Sequence, residues 1–99
     1  MFSIKIHKSY RNVVAICDSE LIGKKFEEGK FQLDIRENFY KDKEISEQEL
    51  ISLMKMQAKE DSTFNIVGKN STNVALEAGL IEENMIGEIA EIPYTLTLL

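Results

Sequence analysis

The stretch Phe64-Asn65-Ile66-Val67-Gly68-Lys69-Asn70-Ser71-Thr72 organises the fold of this chain. Its first four residues predict a short strand, and Gly68 then turns the chain. Asn70 or Ser71 is expected to cap a helix that ends at Gly79. A strand that leads through a glycine directly into a helix is typical of a sheet covered by helices.

A second helix is predicted just before this stretch, from Glu47 to about Glu60. Ser46 and Glu49 have the spacing of a capping box, in which each side chain bonds the other residue's backbone N–H. Ile45 and Leu50 occupy the two positions of a hydrophobic staple. This is the clearest local signal in the sequence.

The N-terminal part predicts a β-hairpin followed by a short helix. Phe2–Ile6 alternates apolar and polar residues, as a half-buried strand does, and Val13–Cys17 is a continuous apolar run. Turn residues between them allow the two to pair as a hairpin. Asp18 or Ser19 then caps a short helix that is expected to end near Gly29.

The remaining segments complete an α+β fold. Phe31–Arg36 predicts a third strand, Asn38–Glu44 an exposed turn, and Ile86–Leu99 a C-terminal strand. The predicted order is ββαβαβαβ. We expect a single domain over residues 1–99, with a mixed sheet of about five strands covered by two to three helices.

Composition excludes several classes of site. No apolar run approaches the ~18 residues that span a bilayer, so a cytoplasmic protein without membrane contact is expected. Cys17, the only cysteine, lies in an apolar run and is predicted to be buried, and His7 is predicted to be an ordinary surface residue. One His and one Cys are too few for a typical zinc site within one chain. We therefore expect no cofactor, no metal and no self-contained catalytic centre.

Charge is unevenly distributed along the chain. Residues 1–43 hold nine Lys/Arg against seven Asp/Glu, whereas residues 44–99 hold three against ten. In the first part, basic and aromatic residues interleave, a composition found in single-stranded RNA binders: Lys5, Lys8, Tyr10, Arg11, Lys24, Lys25, Phe26 and Lys30. A solvated basic face is the alternative reading.

The Gly68 turn is a candidate anion site. Backbone N–H groups at a helix start attract anions, and Lys69 and Ser71 add donors. The spacing is not that of a phosphate-binding P-loop, and a plain helix cap is the alternative. The candidate anion- or RNA-binding residues are Asn65, Gly68, Lys69, Ser71, Lys24 and Lys25.

Several short runs together resemble a known family. Val14–Asp18, Leu21–Gly29, Phe39–Tyr40, Asn65–Gly68 and Ala75–Ile81 match, in the same order, an archaeal family described as domain of unknown function 424. The resemblance implies an archaeal cytosolic protein without an established activity. It also implies a predicted role in RNA binding and an association with translation, but it transfers no site residues.

We therefore expect a noncatalytic binding module whose partner is RNA or a translation component. The first alternative is a protein–protein adaptor or homodimer that uses an open sheet edge without RNA. The second is an enzyme that acts on a small phosphorylated ligand at the Gly68 turn.

Overall fold

A computed structural model describes residues 1–97. Over that range the strands are β1 Phe2–His7, β2 Val13–Asp18, β3 Lys25–Glu28, β4 Phe31–Asp34, β5 Lys43–Ile45, β6 Thr63–Val67, β7 Gly87–Ile89 and β8 Ile92–Thr97. The helices are α1 Glu37–Tyr40, α2 Glu47–Lys59 and α3 Lys69–Glu77. Two single 3-10 turns lie at Ser19–Leu21 and Glu83–Met85.

Six of these strands form one mixed sheet in the order β5-β1-β2-β6-β8-β7. β2 and β6 pair in parallel, and the other neighbours are antiparallel. The predicted α+β fold with a mixed sheet is confirmed, with one strand more in the sheet than expected. The predicted β1–β2 hairpin is also confirmed, with Phe2 opposite Asp18 and His7 opposite Val13.

Each face of the sheet is covered by its own apolar cluster. Alternate strand residues such as Ile16, Phe64 and Ile66 pack against α2 and α3 on the first face. The intervening residues, among them Cys17 and Val67, pack against β3, β4 and α1 on the second face. The molecule therefore has three layers, with the two long helices on one side and a small hairpin on the other.

The N-terminus of α2 forms as its sequence predicts. Ser46 Oγ accepts from the Glu49 N–H at 3.3 Å, and Glu49 Oε1 accepts from the Ser46 N–H at 3.0 Å. The hydrogen bonds from Ser46 lower the pKa of the Glu49 carboxyl. Ile45 and Leu50 are buried at the two positions of the predicted staple. The capping box is confirmed.

The short helix expected between Asp18 and Gly29 is wrong. Only a 3-10 turn forms at Ser19–Leu21, and the segment then becomes β3. Gly23 adopts a φ of 81°, which stops a helix, and the Ile35 N–H bonds the Lys24 carbonyl at 2.9 Å. This pairing of β3 with β4 outweighs the local helical spacing.

Three further segments differ from prediction. The strand predicted over Phe31–Arg36 ends at Asp34 and pairs only with β3, outside the main sheet. The turn predicted over Asn38–Glu44 forms only in part. Its first three residues belong to α1, because Tyr40 packs in the second apolar cluster, and its last two residues begin β5. The strand predicted over Ile86–Leu99 divides into β7 and β8, and its last two residues lie outside the described residues.

The β7–β8 turn offers a stabilising substitution. Ala90 and Glu91 form its two central positions with φ values of 51° and 68°, which side chains other than Asn, Asp and Gly adopt at a cost. We expect the double substitution Ala90→Asn and Glu91→Gly to raise the free energy of unfolding by about 1 kcal/mol. Urea denaturation measures the change. An unchanged or lower stability would contradict the assigned turn.

Candidate functional site

The Gly68 turn joins the end of β6 to the start of α3. Gly68 has φ 114° and ψ 150°, a conformation that essentially only glycine adopts. Its N–H donates to the Pro93 carbonyl at 2.9 Å, and its own carbonyl accepts from Thr72 Oγ1 at 2.8 Å. The turn is thus fixed to β8 on one side and to the first turn of α3 on the other.

The start of α3 is capped by a carboxylate from a distant strand. Asp18 Oδ1 accepts from the Ser71 N–H at 2.8 Å and from Ser71 Oγ at 2.6 Å, and Oδ2 accepts from the Asn70 N–H at 3.1 Å. The Asp18 side chain reaches them because β2 and β6 run in parallel and end side by side. Asp18 is only 4% exposed.

The predicted cap by Asn70 or Ser71 is therefore wrong. The N-cap residue is Gly68, which has no side chain, and the acceptor is supplied by Asp18. The Asn70 and Ser71 N–H groups and the Ser71 hydroxyl are engaged with this carboxylate, and the Lys69 side chain is exposed. A phosphate bound at the same N–H groups would have to displace a buried negative charge.

The candidate residues named from the sequence lie in different layers. Lys69 is exposed on the first residue of α3, which covers the first face of the sheet. Asn65 lies between Ala15 and Leu96 and shares the second face with Val67. Lys24 and Lys25 are exposed by β3, also on the second-face side. The fold thus brings Gly68 and Ser71 together, whereas Lys24, Lys25 and Asn65 lie on the opposite face of the sheet from α3.

The turn between β1 and β2 presents a different constellation. Tyr10 is fully exposed at its tip, between Lys8 and Arg11. Ser9 closes the turn, because its N–H donates to Asn12 Oδ1 at 3.4 Å and its hydroxyl donates to the Arg11 carbonyl. The ring is therefore held outside the core on a short, hydrogen-bonded turn.

This hairpin is the most basic part of the chain. Residues 1–17 contain Lys5, Lys8, Arg11 and His7 but no Asp or Glu. Glu60 and Asp61 precede β6 near the β1–β2 turn, since the Thr63 N–H donates to the Asn12 carbonyl at 2.9 Å. The positive charge is therefore concentrated on the hairpin and does not extend across the neighbouring loop.

His7 links the hairpin to α1. Its ring stacks on Phe39 with centroids 4.5 Å apart, and Nε2 lies 2.8 Å from the Phe39 carbonyl oxygen. Lys5 Nζ donates to the Asn38 carbonyl at 2.7 Å. A shallow cavity of about 390 Å³ opens beside this stack, lined in part by Arg36. His7 is therefore partly buried and packed, unlike the ordinary surface residue expected.

Cys17 is fully buried, as predicted from its apolar run. Burial, with smaller effects from the charges of Asp18 and Glu20, raises its pKa to about 12. The thiol therefore remains protonated at neutral pH and is a poor nucleophile. Among residues 1–97, the structure groups no three His, Cys, Asp or Glu side chains suitably for a metal ion.

The three layers define an α+β protein with a mixed six-stranded sheet that contains a basic β1–β2 hairpin. The family model described as "Protein of unknown function (DUF424)" matches residues 7–98, and the chain belongs to that family. The resemblance carried by the short sequence runs is thereby confirmed.

The fold is similar to that in the crystal structure of an uncharacterized conserved protein from Methanopyrus kandleri. The TM-score is 0.83 at 24% identity, covering 97% of this chain and 89% of that chain. No curated protein matches the chain. No helix among the described residues is long and apolar enough to cross a membrane.

Proposed function

We propose that this protein is a noncatalytic, cytoplasmic module that binds single-stranded RNA through its β1–β2 hairpin. The proposal rests mainly on one observation: Tyr10 is fully exposed between two cationic residues, in a 17-residue segment without a carboxylate side chain. Aromatic side chains stack on unpaired bases, and neighbouring cations contact the phosphates. Association with translation is the accompanying hypothesis, and it comes from the family resemblance.

The exposed ring has no structural reason to be tyrosine. Other large aromatic rings near the hairpin are packed, as Phe39 is against His7, whereas Tyr10 adds nothing to the core. An exposed aromatic ring on a short turn costs little to order when a base stacks on it, because the turn is already hydrogen-bonded. This favours a binding role over a stabilising one.

Because the net charge of the protein is −5, RNA should bind only at the basic hairpin, and its affinity should fall as the salt concentration rises. Three cations, from Lys5, Lys8 and Arg11, could contact phosphates. Each contact to a single strand contributes a slope of about −0.7 in a plot of log affinity against log salt concentration, which gives about −2 for the hairpin. A duplex offers no unstacked base to Tyr10 and should bind less tightly.

The test is fluorescence anisotropy with a mixed-sequence single-stranded RNA at several salt concentrations. Tyr10→Ala is expected to weaken binding about tenfold or more, and Tyr10→Phe should retain most of it, because stacking needs the ring and not the hydroxyl. Phe31→Ala is the matched control, since Phe31 is also an exposed aromatic, at 68%, but lies on β4 beside Lys30.

The control also separates two surfaces. If Phe31→Ala or the pair Lys24→Ala and Lys25→Ala weakens RNA binding while Tyr10→Ala does not, the RNA contacts the β3–β4 hairpin. The assignment of the contact surface to the β1–β2 hairpin then fails. Absence of salt-sensitive RNA binding by the unmodified protein would overturn the proposed function itself.

A further inference from the structure

A groove with both apolar and charged lining residues runs between α2 and the β1–β5 edge of the main sheet. Its volume is about 810 Å³. Ile6 and Leu53 line it, and Met56 stands at its rim with 56% of its surface exposed. Exposed apolar side chains that are grouped in one groove of a small protein are a feature of contact surfaces between macromolecules.

The strand edge beside the groove is only partly paired. β5 is three residues long and lies opposite Phe2–Ile4, so its pairing with β1 stops at Lys43. The Ile4 carbonyl accepts from the Asp42 N–H at 3.2 Å, which shows that its main-chain groups face this edge. Main-chain direction alternates along a strand, so the Ile6 N–H and C=O face the same edge beyond the end of β5.

The charges around the groove are balanced. Lys8 and Lys43 line it together with Asp42 and Glu49, two residues of each sign. A groove for a strongly acidic or basic peptide would carry mainly the opposite sign. A charged surface that pairs with itself about a two-fold axis needs both signs to avoid repulsion, because each residue meets the same patch on the other copy.

We propose that this groove is the interface of a two-fold homodimer, in which the open β1 edges and the Met56 side chains of two copies meet. The unpaired Ile6 main chain supplies hydrogen bonds, the apolar residues supply the buried area, and the opposite charges fix the orientation. The inference does not rest on RNA binding, because Tyr10 does not line the groove; Lys8 is the residue that the two proposed surfaces share.

Sedimentation equilibrium of the full chain without RNA tests the proposal. The unmodified protein should sediment with a mass that approaches twice 11.3 kDa as its concentration rises. Met56→Lys should weaken dimerisation at least about tenfold, because two like charges would then meet across the axis. Leu96→Lys is the control, as Leu96 is 54% exposed but lies on β8 outside the groove.

A mixture of two variants makes the test specific. Met56→Glu alone should also be monomeric, whereas an equimolar mixture of Met56→Lys and Met56→Glu should recover the dimer mass through opposite charges. Circular dichroism melts confirm that each variant is folded, as expected for substitutions at an exposed helix position. A monomeric unmodified protein, a dimer dissociated equally by Leu96→Lys, or a mixture that stays monomeric would each overturn the proposal.

Discussion

Substituting Gly68 with alanine is expected to lower the free energy of unfolding by about 4 kcal/mol. Two causes act together. The φ of 114° is strained for any residue with a side chain, and a Cβ at this position would lie 2.5 Å from Asp18 Cγ. Since Asp18 is held by three hydrogen bonds, it cannot move aside without uncapping α3.

Urea denaturation measures this loss, and Gly79→Ala is its matched control. Gly79 also has a positive φ, of 76°, but a Cβ there meets no atom within 4 Å. The control should cost only the backbone strain, about 1 to 2 kcal/mol. Equal losses at the two glycines would show that contact with Asp18 does not matter, and the proposed packing of the turn would be wrong.

Removing the carboxylate that caps α3 should have the second-largest effect. Asp18→Ala leaves the Asn70 and Ser71 N–H groups and the Ser71 hydroxyl without their acceptor in a buried position. The expected loss in the free energy of unfolding is about 3 kcal/mol, from a lost cap and from unsatisfied donors. Asp18→Asn should lose less, because its amide oxygen still accepts one of these bonds.

The Asp18→Ala variant also tests whether the turn at Gly68 can bind an anion. With Asp18 removed, the freed N–H groups at the start of α3 form a site for a small anion, and inorganic phosphate should raise the melting temperature of Asp18→Ala. The unmodified protein should gain much less, because its carboxylate already occupies that position. Asp34→Ala, which removes an exposed carboxylate paired with Arg36, controls for general salt effects.

If phosphate stabilises the unmodified protein as strongly as the alanine variant, an anion binds without displacing Asp18. The prediction that Lys69 and Ser71 contact an anion in the native protein would then gain support. The proposal that Asp18 occupies the anion-binding N–H groups at the start of α3 would be contradicted.

Local signals in the sequence were sufficient where the determining contacts are close along the chain. Ser46 and Glu49 are three residues apart, so their capping box and the start of α2 follow from spacing alone. The alternating pattern of β1 and the apolar run of β2 similarly predict the hairpin. The strand, glycine and helix around Gly68 were predicted for the same reason.

The capping of α3 could not be predicted in this way. Asp18 and Ser71 are 53 positions apart and meet only because β2 and β6 are parallel neighbours. Strand order is a long-range property that periodicity does not contain. The segment around Phe26 could not be predicted for the same reason. Its apolar spacing suits a helix, but its pairing with β4 makes it a strand.

The burial of individual aromatic side chains decides which part of the basic region is proposed to contact RNA. From the sequence, Tyr10, Phe26 and the lysines between them formed one basic and aromatic region. The structure buries much of Phe26 in the second apolar cluster and leaves Tyr10 fully exposed. Exposure of a particular ring depends on tertiary packing, so composition could indicate the class of ligand but not the contact residue.

The most direct measurement is a titration of the ¹⁵N-labelled protein with single-stranded RNA, followed by NMR. The account predicts chemical-shift changes concentrated in residues 8–12 and along β1, with the amides of Asn70 and Ser71 unmoved because Asp18 retains them. Shifts centred on Lys24 and Lys25, or on Gly68 to Ser71, would contradict the assigned surface. A spectrum unchanged by RNA would contradict the function.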